Sequence, residues 1–373
     1  MFDTSEKKVE YIELIYDLVF VYMVGRNNSL LHDFTGGFVA PQAFLAYIMC
    51  TLAIIQIWNF TTFYINMFGR NGVRDHAALF VNMYLLYFIG QSTVPEWEAY
   101  HAQYHIAWGL ILINIGTQYM IELRNHKADV WNRELIKRMA AVLYIEAAIV
   151  LAGALTGIDA GVYLSAAAIL LGIVLTFRSR KYGGSGLIDF PHLTERAILY
   201  VVFTFGEMII VVADYFTGDG TWSWNVIYFS LMAFLIVAGL FFNYEVLYDH
   251  IIDREMENTG LSYMLIHIFL IFGLNNITTS LEFMRNPAVS LWPKTVFLIG
   301  SMLLVFTCMF LLLFYAKENL KRCRKFVIRI ALSSVAFAAL MIAFREAMRI
   351  NILVTVLYIF TVLLLMNRYR LQK

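Results

Sequence analysis

Charge is what this chain has least of. Only 15% of its 373 residues are Asp, Glu, Lys or Arg, while 60% are hydrophobic and mean hydropathy is +0.67. Soluble domains carry about 25% charged residues, so an ordinary soluble enzyme is excluded. A chain of this size could not hide so much apolar surface in its own cores, and lipid has to take the excess. Neither sign dominates, since 28 Lys and Arg against 27 Asp and Glu leave a formal net charge of +1. With no basic run interleaved with aromatics, nucleic acid is excluded as a partner. Cysteine is scarce too: Cys50, Cys308 and Cys323 have no paired spacing for zinc or a redox dithiol. No phosphate-cradling glycine loop, G-x-S-x-G elbow or haem-attachment pair occurs, so no cofactor is expected. Met1 to Glu10 is polar and the apolar stretch after it lacks a small-residue cleavage site, so the first helix is expected to remain in the mature protein.

What is abundant is apolar segments of about 20 residues, the length a helix needs to cross a bilayer. About twelve occur, at Val9 to Leu31, Ala43 to Phe68, Asp75 to Val94, His101 to Leu123, Leu135 to Leu155, Asp159 to Phe177, Leu193 to Phe216, Ser223 to Tyr248, Asn258 to Phe283, Ser290 to Tyr315, Phe326 to Phe344 and Ile350 to Met366. The expected fold is therefore all-α, a polytopic integral membrane protein. Lys and Arg gather in alternate connections, as at Arg133, Lys137 and Arg138 or at Lys317, Lys321, Arg322, Arg324 and Lys325. Cytoplasmic loops carry that excess, so both termini are placed in the cytoplasm of a cell membrane. Trp97, Trp108, Trp222 and Trp224 then fall on the outer side and are expected to form an interface belt.

The chain also repeats itself. The first span, ELIYDLVFVYMVG, parallels the seventh, ERAILYVVFTFGE, with Glu13 and Glu195 standing 182 positions apart. Gly90 and Gly273 are 183 apart, and Asn59 and Tyr64 precede Asn243 and Tyr248 by 184. Such offsets point to two six-helix repeats, residues 1–183 and 184–373. Six being even, the two would be parallel, related by an axis along the membrane normal.

A charged side chain at the bilayer centre costs about 2.5 to 3.5 kcal/mol, so acids within spans face protein or water. Glu13 and Asp17 share one face of the first helix. Such close like charges perturb each other's ionisation unless a cation, for instance Arg196 at the start of the seventh span, sits between them. Glu207 lies about twelve residues, or roughly 18 Å, into the seventh span, near the midplane. It follows Gly206, which would let another backbone come close. Glu146 and His267 are mid-span and either pair with these carboxylates or are satisfied separately. Asn82, Gln56, Asn59, Asn114, Gln118, Asn275 and Asn276 fit interhelical hydrogen bonding. His101 and His105 share a face, with Glu96 and Glu98 just before them, but the spacing lacks the internal acid of H-E-x-x-H and no metal is expected. His192, with Glu195 after it, reads as part of a helix start following Pro191.

The segments ELIYDLVFVYMVG and HLTERAILYVVFTFGEMIIVV resemble the bacterial low temperature requirement protein A family. That family opens with Glu-Leu-aromatic-aromatic-Asp-Leu-Val-Phe-Val and has near mid-chain a His-x-x-Glu-Arg segment ending in Gly-Glu. The resemblance marks Glu13, Asp17, His192, Glu195, Arg196, Gly206 and Glu207; Ile15 and Tyr16 stand where the family usually has Phe. The family name records a cold-growth phenotype and no reaction. The expected function is a transporter or channel-like protein moving a small solute or ion at the repeat interface. Glu13, Asp17, Glu195 and Glu207 would be coupling carboxylates, with Arg196 as counter-charge. Two alternatives remain open: a membrane-embedded enzyme acting on a lipid or quinone-like substrate, for which no nucleophile or metal set is visible, and a non-catalytic scaffold. Membrane lipid is the partner expected under all three.

Overall fold

The computed structural model describes residues 7–94, 97–125, 130–179, 187–217, 223–320 and 324–371. These hold α1 (Tyr11–Asn27), α2 (Pro41–Phe68), α3 (Val73–Ser92), α4 (Trp97–Asn125), α5 (Val130–Ala154), α6 (Ile158–Ser179), α7 (Phe190–Thr217), α8 (Trp224–Val246), α9 (Leu261–Arg285), α10 (Leu291–Leu311), α11 (Arg324–Ala343) and α12 (Met348–Arg370). Each coincides with one predicted apolar segment, and the one sheet among the described residues is a hairpin of Phe34–Thr35 with Phe38–Val39. Among the described residues 9 helices are long and apolar enough to cross a membrane. The other three, α1, α3 and α5, fall short for visible reasons. Helix α1 has only 17 residues and carries Glu13 and Asp17. Helix α3 carries Asp75, His76, Asn82 and Gln91, and α5 opens on Arg133, Glu134, Lys137 and Arg138.

Sequence sets where the helices begin. Pro41 occupies the first turn of α2, where its missing N–H is not needed, and Ser223 caps α8 by accepting from the Val226 N–H at 3.3 Å. Helix α11 leaves Leu332, Val335 and Leu340 exposed, an apolar face of the kind a membrane-spanning helix turns to lipid. Helix α2, by contrast, is buried along most of its length.

The described chain divides into two compact units. The first comprises residues 1–35, 39–200 and 255–268; the second comprises 36–38, 201–254 and 269–373. Within the first unit α4 packs on α3 and α5, α6 on α5 and α2, and α1 on α2 and α3. One chain of hydrogen bonds crosses four of these helices. The Tyr16 and Thr61 hydroxyls lie 3.0 Å apart, Asn82 donates to the Tyr16 oxygen at 3.2 Å, and Asn114 donates to Asn82 at 2.8 Å. Interhelical bonds of this kind contribute about 0.6 kcal/mol each, so their value lies in fixing which helix faces which.

Within the second unit α12 packs on α8 and α11, and α10 on α11. Asn243 of α8 donates to the Ile359 carbonyl of α12 at 3.1 Å, and Ser334 of α11 meets the Tyr358 hydroxyl at 2.8 Å.

One expected belt residue is placed otherwise. Trp108 is buried, 6.1 Å from the Tyr104 ring, because the helix turns it inward at that height; Trp224 is exposed. Trp222 and Cys323 lie outside the described residues, as does the Trp97 side chain, and Cys50 and Cys308 are buried thiols.

Helices α8 and α12 approach closely at Gly239, where an added Cβ would lie 2.6 Å from Ile359 and 3.1 Å from Phe360. Overpacking of such contacts costs about 1 to 3 kcal/mol. Gly239→Leu is expected to lower the unfolding temperature of the detergent-solubilised protein, followed by tryptophan fluorescence. An unchanged transition would show that this contact does not hold α8 to α12.

Candidate functional site

Two pairs of side chains, each at four-residue spacing, meet across the first unit. Helix α1 presents Glu13 and Asp17, and α7 presents His192 and Arg196, each pair on one helix face. The Arg196 guanidinium is fully buried and lies between the two acids. Its Nη2 and Nε donate to the Asp17 oxygens at 2.5 and 3.2 Å, a two-pronged fit, while Nη1 donates to Glu13 Oε2. Asp17 Oδ1 also accepts from the Trp58 indole of α2 at 2.7 Å, and the Trp58 ring packs 4.4 Å from Tyr200, one turn beyond Arg196. Asp17 thus takes three N–H donors and is fully buried. The sequence left open whether Arg196 lies between the acids, and in the structure it does.

Glu13 is engaged differently. Its Oε1 accepts the Glu10 backbone N–H at 3.3 Å, closing the first turn of α1, and its Oε2 faces both Arg196 and His192 Nε2, the latter at 3.5 Å. The proton on that ring is set from the far side. Asn66 Oδ1 accepts the Asp189 backbone N–H at 3.0 Å, which fixes the amide so that Nδ2 is the group facing outward. Asn66 Nδ2 lies 2.8 Å from the Asp189 carbonyl and 3.0 Å from His192 Nδ1. His192 Nδ1 must therefore accept, and Nε2 carries the hydrogen toward Glu13. The side chain of Asp189 in turn accepts the His192 backbone N–H at 3.0 Å, starting α7.

Lys7 completes the surroundings. Its ammonium donates to the carbonyls of Ile65, Asn66 and Gly69, the last two at 3.2 and 3.1 Å, where α2 ends and partial negative charge collects. Burial pushes the Lys7 ammonium below its ordinary value, opposed by Glu13 and Asp189. A cavity of about 480 Å³ lies beside this arrangement, lined by Lys7, Glu13, Gly69, Arg70, Asp75 and His76 among others. Glu13 is thus the acid of the cluster that a small species entering the cavity can meet, whereas Asp17 does not line it.

The remaining expected residues lie elsewhere. Glu195 is on the exposed side of α7 and takes no part in the cluster. Glu207 belongs to the second unit, where it is half-buried and has no ion pair among the described residues. Gly206 is not a point of close approach, since an added Cβ would meet nothing within 4 Å: the helix exposes that face. Glu146 is buried against Gln56 at 3.4 Å, and His267 Nδ1 meets the Tyr263 carbonyl at 2.8 Å, so neither pairs with the α1 acids. His105 bridges the His101 carbonyl at 2.7 Å and the Ser165 hydroxyl at 2.6 Å. Glu96 and the Glu98 side chain lie outside the described residues, and among those described no group of three His, Cys, Asp or Glu could hold a metal.

A further charged cluster went unread in the sequence. Arg74 of α3 reaches buried Glu122 of α4 at 2.7 Å, Asp75 at 3.2 Å and the Tyr64 hydroxyl of α2 at 3.1 Å. Arg74 passes for a loop charge by position, and Glu122 for the end of a span; their pairing is visible only once α3 and α4 lie side by side.

Removing one partner of a buried pair leaves an uncompensated charge and costs about 3 to 5 kcal/mol. Arg196→Met is expected to destabilise by about that much in equilibrium unfolding. The triple variant Glu13→Gln, Asp17→Asn, Arg196→Met should regain most of the loss, because no charge is left unpaired. Equal stability of wild type and Arg196→Met would dissolve the cluster's structural role.

Residues 8–366 match the family model described as bacterial low temperature requirement A protein (LtrA). No curated protein and no solved structure matches the chain. The family match takes in α1 and α7, and with them every member of the Glu13, Asp17, His192 and Arg196 cluster. This all-helical, multi-pass integral membrane protein belongs to the LtrA family.

Proposed function

We propose that the protein is a transporter or channel-like protein that moves a small solute or ion along a path passing Glu13. The observation that carries this reading is the position of Glu13, shared between a buried guanidinium and a cavity of about 480 Å³. A cation or proton arriving in that cavity competes with Arg196 for Glu13 Oε2. Its arrival weakens the Glu13 link while the Asp17 link, with its two Arg196 donors, still holds α1 to α7. Occupancy is thereby coupled to helix packing, the differential interaction a conformational change requires. Glu207, further along α7 and without an ion pair among the described residues, serves as a second acidic group in this reading; Glu195 would act only from the exposed side.

In the same reading all twelve helices span the membrane as two parallel six-helix repeats, residues 1–183 and 184–373, with both termini cytoplasmic. Neighbour relations support the duplication: α2 with α6, α4 with α5 and α5 with α6 in the first set are matched by α8 with α12, α10 with α11 and α11 with α12 in the second. The alternation of Lys and Arg between connections supports the orientation.

The test is flux in proteoliposomes carrying a trapped pH-sensitive dye, with a panel of small ions and solutes outside. Wild type is expected to dissipate a gradient faster than protein-free vesicles, and Glu13→Gln to slow it by about tenfold or more, in line with loss of a positioned acid group. Equal flux from wild type and Glu207→Gln would remove Glu207 from the path. No flux from wild type for any species tested would refute the transport reading.

A further inference from the structure

Three cations gather where the start of α11 meets the end of α12. Phe326 of α11 stacks on Tyr369 of α12 with ring centroids 4.3 Å apart, and Phe337 stacks on Tyr358 at the same distance, so the two helices run antiparallel. The Tyr369 hydroxyl also donates to the Leu320 carbonyl, holding the turn before α11 at this end. In an antiparallel pair, residues just before the contact on either helix fall on the same flank, because successive residues turn by about 100°. Lys325, and Arg329 one turn above it, thus share a flank with Arg368, whereas Arg370 turns to the other one.

All three cations of that flank are exposed. Arg285 and Arg345 of the same unit have acids beside them, Asp214 and Glu346, but Lys325, Arg329 and Arg368 have no ion pair among the described residues. Asp253 and Glu318 stand at this end too; the first is tied by its backbone to Tyr315 ahead of α11, and the second sits in the turn Glu318–Leu320. Above the cations the flank is apolar, with Leu332 and Leu340 of α11 and Leu364 of α12 exposed. Leu340 lies roughly 16 Å beyond Arg329, close to the depth of one leaflet of a hydrocarbon core about 30 Å thick. Arg329 itself lies within the membrane-spanning stretch Lys325–Ala343, where a cation on the lipid side reaches back to the headgroups.

We propose that this flank of α11 and α12 binds one anionic glycerophospholipid, its phosphate against Lys325, Arg329 and Arg368 and an acyl chain along Leu332, Leu364 and Leu340. Charge complementarity selects the occupant. A zwitterionic lipid brings its own cation to a place that already holds three. A free phosphate ion matches the charge and leaves the apolar stripe unused. A lipid with a net negative headgroup meets both parts at once, with the two guanidinium groups and the ammonium donating to its phosphate oxygens. The flank shares no residue with the Glu13 and Arg196 cluster, so it stands or falls independently of the transport reading.

The test uses the full chain in neutral detergent, titrated with phosphatidylglycerol or with phosphatidylcholine of the same acyl chains. Bound lipid is counted by native mass spectrometry, and thermal unfolding is followed in parallel. Wild type is expected to retain one phosphatidylglycerol in preference to phosphatidylcholine, and its unfolding temperature to rise with the logarithm of phosphatidylglycerol concentration. Each of Lys325→Gln, Arg329→Gln and Arg368→Gln should weaken phosphatidylglycerol binding about fivefold, the contribution of one cation near an anionic headgroup, and the triple variant about a hundredfold. The three side chains are exposed, so these variants are expected to fold; Arg370→Gln, on the other flank, should bind the lipid as wild type does. Equal retention of the two lipids, equal retention by wild type and the triple variant, or displacement of the lipid by inorganic phosphate would overturn the assignment. So would an equal loss in Arg370→Gln, which would make the attraction one of bulk charge.

Discussion

The Arg196 guanidinium, fully buried and held by two acids of another helix, is the constraint around which the first unit is arranged. A buried guanidinium does not lose its charge, so its surroundings must supply the compensation. Asp17 supplies it through a two-pronged contact and Glu13 through a single one. Each acid then recruits a different neighbour, Asp17 the indole of Trp58 and Glu13 the ring of His192. These contacts tie α1 and α2 to the start of α7. Buried pairs contribute little net stability against an apolar alternative, and what this one contributes is specificity of packing.

Acids in the first unit fall into two kinds by what completes them. Asp17 and Glu122 are completed by the protein, through Arg196 and Trp58 in one case and through Arg74 and Asn125 in the other. Glu146 is met only by an amide hydrogen and keeps an oxygen without a partner among the described residues. Glu13 lies between the kinds, paired on one side and bordering open space on the other. The desolvation cost of a carboxylate does not depend on where its compensation comes from, so an incompletely matched acid is where an external species has most to gain.

Much of this was legible in the sequence, and the part that was not has a common cause. Helix positions follow from runs of apolar residues, which act locally. The shared face of Glu13 and Asp17 follows from helical period alone. Which residue lies opposite is a long-range fact: Asn66, which sets the proton position of His192, is 126 positions away from it, and nothing local marks the two as partners. His192 therefore read as part of a helix start, which it also is. Trp108 and Gly206 were misjudged for a related reason. Depth along a helix was readable, but the direction in which each residue points was not, and Trp108 turns inward while Gly206 turns outward.

The adjacent residues Glu195 and Arg196 show how the helical period divides a motif. Successive residues are about 100° apart around the axis, so His192 and Arg196 share a face while Glu195 points well away from Arg196. The inward direction is fixed by the guanidinium, since it needs both acids of α1. Glu195 is consequently exposed, and its carboxylate does not add a third negative group to a cluster that already holds two acids for one arginine. Proximity in sequence thus separates these two charges in space, and a spacing of four brings His192 and Arg196 together on the acids of α1.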